Sequence, residues 1–250
     1  MTHVVINQKF LAVGAGAPAG APSEAVLKAA EMFGIGLDET FEVALYEDLA
    51  LDVRPGDVVY VTGPSGSGKS VLLARLQEAL RAAVPGEVAA VDLAEITLAG
   101  DRAVIDLIAG PLQQRLRILS AAGLADAFLL LRKPRELSDG QRWRLRLALA
   151  IEQVAARAEE ETRPASGAAK QAIPWRVLIA DEFCSTLDRL CARAVAYRVR
   201  RLADATGVTI LAASAHDDLV EDLAPDVLVV KHEACRVDVQ YADPARQVQS

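Results

Sequence analysis

Gly63-Pro64-Ser65-Gly66-Ser67-Gly68-Lys69-Ser70 carries the spacing of a loop that holds phosphate, G-x-x-x-x-G-K-[ST] at every fixed position. Glycines at 63, 66 and 68 let the backbone curl until successive N–H groups point at phosphate oxygens. Lys69 supplies a point charge for β- and γ-phosphates, and the Ser70 hydroxyl is of the type that ligates Mg²⁺. The apolar run VVYVT before the loop reads as a strand, and SVLLARLQEAL after it as a helix. A helix N-terminus at Ser70 and Val71 adds partial positive charge beside the phosphates. The residues predict a mononucleotide site running from Gly63 to Val71.

A second set of residues supplies the acids this chemistry needs. The apolar run RVLIA ends in Asp181 and Glu182. A parallel strand delivers its last residues to the carboxyl edge of the sheet, where the ligand crevice lies. Asp181 is then placed to hold Mg²⁺ through its water shell, and Glu182 to polarise a water for attack on a γ-phosphate. Taken alone, such a run is as often a strand meeting solvent. The phosphate loop upstream favours the functional assignment.

The elements that must position these residues are legible in outline. Val58–Thr62, Val88–Val91, Val177–Ala180, Val208–Ala213 and Val227–Val230 have the β-branched enrichment of buried strands. Helical patterns over Ser70–Val84, Arg142–Glu161 and Leu187–Thr206 fall between them, which predicts an α/β fold with a mainly parallel sheet covered on both faces. Near the start, VVINQKFLAV alternates as a strand does, and the Gly/Pro-rich stretch Phe10–Pro22 reads as a turn after it rather than a signal peptide. Ala94–Leu131 lacks strand signals and reads as helices, and Glu159–Pro174 reads as a mobile surface loop. With 250 residues, 52% of them hydrophobic and 24% charged, the chain is long enough and apolar enough for one large globular domain. Its 27 basic against 34 acidic side chains, a net charge of −7, argue against a globally basic nucleic-acid binder. Cys184, Cys191 and Cys235 contain no CxxC, so neither a disulfide framework nor a zinc site is implied. No stretch is apolar enough for a membrane helix, and the expectation is a soluble, cytoplasmic protein.

Further motifs carry a family resemblance. Leu137-Ser138-Asp139-Gly140-Gln141-Arg142 resembles the signature LSGGQ of the ATPase subunits of the ABC superfamily, with Asp139 in place of the first glycine. Cys184-Ser185-Thr186-Leu187-Asp188 resembles that family's D-loop, and His216 in SAHDD matches its switch histidine in order and spacing. The resemblance spans residues 41 to 232, and the strings DEFCSTLD and LSDGQR are similar to those of soluble ABC-type ATPases found alone or fused to a predicted acetyltransferase. It implies a P-loop NTPase (RecA-like) fold as one domain over 1–250, with 94–148 as a helical subdomain carrying the signature and 159–174 as a loop insertion. It also implies hydrolysis of ATP to ADP and phosphate with Mg²⁺, catalysed with Lys69, Glu182 and His216. Two chains would close head to tail on two ATP molecules, with Ser138, Gly140 and Gln141 reaching the γ-phosphate on the other subunit's Lys69.

The sequence also departs from the family. The span between Lys69 and Ser138 is short for a transporter ATPase, and no Q-loop glutamine follows Val88–Val91. Asp92 or Glu95 stands there instead, either as a metal contact or as a solvated acid at a strand end. Phe183 occupies a position where most relatives have proline. Phe33, in EMFGIG beside glycines that suggest a loop, is the preferred adenine-stacking ring, with Phe41 and Tyr46 as alternatives. Cys184 and Cys191 are spaced to share one helix face as small core residues. Arg198, Arg200 and Arg201 read first as a solvated face and second as a contact for nucleic acid or a partner. These departures make a membrane partner the less favoured reading. The ATP-binding subunit of a membrane transporter, and an ATP-dependent switch acting on DNA or a protein, stay as alternatives.

Overall fold

Alternation along each apolar run decides how the chain layers. The computed structural model describes residues 2–13, 23–34, 40–83, 88–162 and 175–249. Strands β1 (Thr2–Val13) and β2 (Thr40–Val53) pair antiparallel with a register shift around Gln8. The remaining strands are β3 (Val58–Thr62), β4 (Val88–Asp92), β5 (Trp175–Ala180), β6 (Thr209–Ser214), β7 (Val227–Lys231) and β8 (Val237–Tyr241). They form one six-stranded sheet in the order β4-β5-β6-β3-β7-β8. All its pairings are parallel except β7 with β8.

Side-chain period two sends alternate residues of each strand to opposite faces. Val58 and Tyr60 of β3 enter a core packed by the helices α3 (Leu112–Ala121), α5 (Asp139–Thr162) and α6 (Arg189–Thr206). Val59 and Val61 enter a second core closed by α2 (Lys69–Ala83) and the β1–β2 pair. Helix α2 buries Leu72, Leu73, Leu76 and Leu80 on one stripe, each worth about 1.5–3 kcal/mol relative to exposure. Helix α6 starts where Asp188 accepts the N–H of Cys191 at 3.0 Å and stops at Gly207, whose φ of +66° a residue with a Cβ adopts only with strain.

The five strands expected from apolar runs are present with shifts of one or two residues, as is the N-terminal strand. Helix α1 (Glu24–Phe33) and strands β2 and β8 were not legible. Glu42, Glu47 and Asp48 interrupt the apolar pattern of β2. Between β4 and β5 the described residues contain no strand: they hold α3, α4 (Ala127–Leu130), short 3₁₀ turns and α5. Residues 159–162, expected in the loop, are instead the last residues of α5, which continues to Thr162. Glutamates favour the helix, and the polarity of EEET misled the reading. Residues 163–174, and 14–22 of the expected turn after β1, lie outside the described residues. Cys184 and Cys191 do not share a helix face. Cys184 sits in the turn before α6, buried with φ +60°, and only Cys191 is helical.

Candidate active site

The carboxyl ends of three adjacent strands bring the chemistry together. β5 leads to Asp181 and Glu182, β6 leads to His216 and β3 leads to the glycine loop. Because β6 lies between β5 and β3 and all three run parallel, residues remote in sequence meet at one sheet edge. Lys69 feels both carboxylates. Burial pulls its ammonium below the ordinary lysine range, and the charges of Asp181 and Glu182 oppose that shift.

The loop conformation explains its glycines. Gly63 has φ +145°, and a Cβ there would lie 2.2 Å from the carbonyl oxygen of Lys231. Gly66 meets nothing within 4 Å, so its φ of +76° is what requires glycine. Lys69 Nζ folds back to donate to the carbonyls of Gly63 at 2.8 Å and Pro64 at 2.7 Å. Ser67 Oγ is buried without a hydrogen-bond partner among the described residues, as a donor awaiting a ligand oxygen would be. With Ser70 exposed at the first turn of α2, the loop fits a nucleotide's phosphates and a hard, oxygen-preferring cation.

Glu182 occupies a tight turn, with φ +49° and its side chain exposed. Its own N–H donates to Asp181 Oδ1 at 2.9 Å, and Ser185 N–H donates to its carbonyl at 3.0 Å. A left-handed glutamate is a strained residue at the site, held by the surrounding turn. His216 is exposed. Its carbonyl accepts from Tyr60 Oη and, at 3.3 Å, from Thr62 Oγ1.

The signature residues lie elsewhere in the chain. Ser138 Oγ accepts the N–H of Gln141 at 3.3 Å, and Gln141 Oε1 accepts the N–H of Ser138 at 3.0 Å, a reciprocal cap on α5. Gly140 is held small from within, since a Cβ there would lie 2.9 Å from the carbonyl of Thr186. Asp139 is 80% exposed and ion-paired with Arg142, so its carboxylate points outward. Among the described residues, the hydrogen bonds of Ser138, Gly140 and Gln141 do not reach the glycine loop of the same chain.

The aromatic expectations are revised. Phe33 is the last residue of α1 rather than part of a loop, and it is 73% exposed. Tyr46 is fully buried, so it offers no face to a base. Phe41 lies on β2, and its side chain is outside the description. Asp92 caps a 3₁₀ turn by accepting Ala94 N–H at 2.8 Å. Burial pushes its carboxyl above the ordinary range, that hydrogen bond opposes the shift, and Glu95 and Asp181 add to it. A cleft of about 490 Å³ opens beside this segment, lined by Asp92, Glu95, Arg102, Leu149 and Glu152 among others. It contains no residue of the glycine loop.

No family model and no curated protein matches the chain. Solved structures do. The chain is similar to the ATP-binding cassette MJ0796 in a dimeric post-hydrolysis state bound to ADP and Pi, at 15% identity and a TM-score of 0.54. A second dimeric structure of MJ0796, described as a bacterial ABC transporter cassette, aligns at 16% identity with the same TM-score. Both alignments cover 79% of this chain and 91% of the other. A metal-chelate type ABC transporter in an inward-facing conformation aligns at 20% identity and a TM-score of 0.52, over 84% of this chain and 79% of that one. The fold is that of an ATP-binding cassette.

Within this cassette fold, sequence reading missed the residues beneath the glycine loop. Tyr46 Oη donates to the carbonyl of Gly68 at 2.9 Å, and the ammonium of buried Lys231 sits 5.3 Å from the Tyr46 ring centroid. Lys231 Nζ donates to the carbonyls of His232 and Ala234, so its burial is compensated. No motif marks these residues. Their role depends on β2 and β7 running under the loop of the cassette.

Proposed function

We propose that the chain binds Mg·ATP at Gly63–Val71 and hydrolyses it as a head-to-tail pair of cassettes, in a soluble, cytoplasmic setting. The convergence of Lys69, Asp181, Glu182 and His216 on one edge of three parallel strands carries this reading. Lys69 releases the carbonyls of Gly63 and Pro64 and takes the β- and γ-phosphates, with the loop N–H groups around them. Ser70 and Asp181 hold Mg²⁺, which when bound neutralises charge building on the phosphate oxygens. Glu182 orients a water in line with the γ-phosphate and accepts its proton as the P–O bond to ADP breaks. His216 senses the γ-phosphate. Phe33, exposed at the end of α1, offers its face to adenine.

Ser138, Gly140 and Gln141 complete the site of a second copy. The N-terminus of α5 places a positive dipole end at this turn, and the Asp139 carboxylate is paired with Arg142. The segment 94–148 acts as the helical subdomain that carries this turn within a single domain over 1–250.

The test is Glu182→Gln, which keeps shape and removes the base. Turnover should fall about 10²–10⁴-fold while ATP still binds. Light scattering should find a monomer without nucleotide, a dimer with Mg·ATP, and no dimer with ADP. A variant that binds ATP and stays monomeric at high concentration rejects the paired mechanism. The unaltered chain should hydrolyse ATP without detergent or lipid. Strict dependence on an added membrane protein would instead assign it to a transporter.

A further inference from the structure

Resting on the reading that Glu182 and His216 act on the γ-phosphate, we propose that Tyr60, Phe183 and Trp143 form an aromatic relay. The relay positions both residues and ties them to the first turns of α5.

Tyr60 and Phe183 are fully buried and Trp143 nearly so. The Tyr60 and Phe183 rings meet edge to face at 6.5 Å and 75°, and Trp143 meets Phe183 at 5.7 Å and 71°. Edge-to-face contacts depend on direction, so each ring fixes the tilt of the next. Tyr60 reaches His216 directly, because its hydroxyl donates to the His216 carbonyl. Phe183 reaches Glu182 through the backbone. It lies between two left-handed residues, Glu182 at φ +49° and Cys184 at φ +60°, and its own N–H donates to Ala213 at 2.6 Å. The Glu182 side chain is exposed, so its direction follows from that backbone.

The far end of the relay is α5. Trp143 lies one turn beyond the Ser138–Gln141 cap, and Gly140 packs near the Thr186 carbonyl, in the turn that begins at Glu182, closely enough that a Cβ would lie 2.9 Å from it. The hydrolysis turn and the signature turn therefore touch at two points, one aromatic and one backbone. A displacement of either is felt by the other. Tyr60, Phe183 and Trp143 are positioning residues here: they touch neither nucleotide nor water.

Two variants test the relay. Tyr60→Phe keeps the ring and deletes the hydroxyl, with its bond to the His216 carbonyl and its contact with Ser214. Phe183→Leu keeps apolar volume and deletes the edge contacts. Each should lower kcat about tenfold with KM for ATP within about twofold, the pattern of a group that acts only on the chemical step. In a Trp175→Phe background Trp143 is the sole tryptophan, and Mg·ATP should change its emission. Phe183→Leu should abolish that change while ATP binding persists. If Phe183→Leu unfolds at the assay temperature, Tyr60→Phe decides alone, since its packing is intact. Wild-type kcat in either folded variant overturns the relay, as does a Trp143 response that survives Phe183→Leu or is absent from the parent. A parent chain that neither binds nor hydrolyses ATP removes the functional reading itself, a failure distinct from loss of the relay alone.

Discussion

Lys69 shows how one side chain stands ready for its ligand. Its ammonium rests on two carbonyls of its own loop, so removing it leaves no buried group of the core unpaired. Lys69→Ala should fold normally and lose tight ATP binding. Ligand at a hundredfold excess over Kd stabilises a native state by about 2.7 kcal/mol. Mg·ATP should therefore raise the melting temperature of the unaltered protein and leave the variant unmoved; an undiminished shift would put the phosphate site elsewhere. Asp92 makes the opposite case, a carboxylate the fold disfavours. Its pKa is raised by burial above the unfolded value, so the wild type loses stability as pH rises from the unfolded pKa through the folded one. Asp92→Asn keeps a cap for Ala94 and has no such dependence. The variant should melt higher at neutral pH, and the difference should close as pH falls below the ordinary carboxylate range. A gap constant with pH would assign the effect to something other than this charge.

At the scale of elements, the glycine loop is a contact between β3, β7 and β2 as much as a phosphate cradle. Gly63→Ala drives a methyl into the Lys231 carbonyl, a backbone atom that cannot swing aside, while Gly66→Ala meets open space. The first should cost several kcal/mol, in the range of severe core lesions. The second should cost about 1–2 kcal/mol, the penalty of a left-handed alanine. Urea midpoints would separate them, and equal losses would show that Gly63 is not wedged against β7. Helix α5 carries a similar double duty, because Ser138 caps it and is also the proposed contact in trans. Ser138→Ala should therefore lose about 1 kcal/mol as a cap whatever its role toward ATP.

At the scale of the whole molecule, the proposed mechanism calls for a second chain, and Gly140 of the signature turn packs against its own Thr186, where a Cβ would lie 2.9 Å from the carbonyl. Adding Ser138→Arg to Glu182→Gln should block the Mg·ATP-induced dimer while each monomer still binds ATP through Lys69. Sedimentation velocity with labelled nucleotide reads both at once. A double variant that still dimerises would place the interface on another face.

Local signals made the strands β3 to β7, the helices α2, α5 and α6, and the glycine loop legible. Each owes its form to nearby residues: β-branched runs, helical periodicity, and glycines whose backbone freedom the phosphates require. Asp181 and Glu182 were legible for the same reason, as acids ending an apolar strand. Strand β2 was not, because its polar positions are tolerated only by pairing with β1, and β8 was not, because it is an edge strand completed by β7. Which of Phe33 and Tyr46 is exposed was not legible either, because packing alone decides that Tyr46 is buried, its hydroxyl bonded to the Gly68 carbonyl, while Phe33 is exposed. By itself, then, the sequence determined the candidate reactive groups and the strands that carry them. The tertiary structure decided what supports them, because Tyr46, Lys231, Tyr60 and Phe183 act across strand neighbours remote in the chain, and the sheet order that makes them neighbours has no local signature.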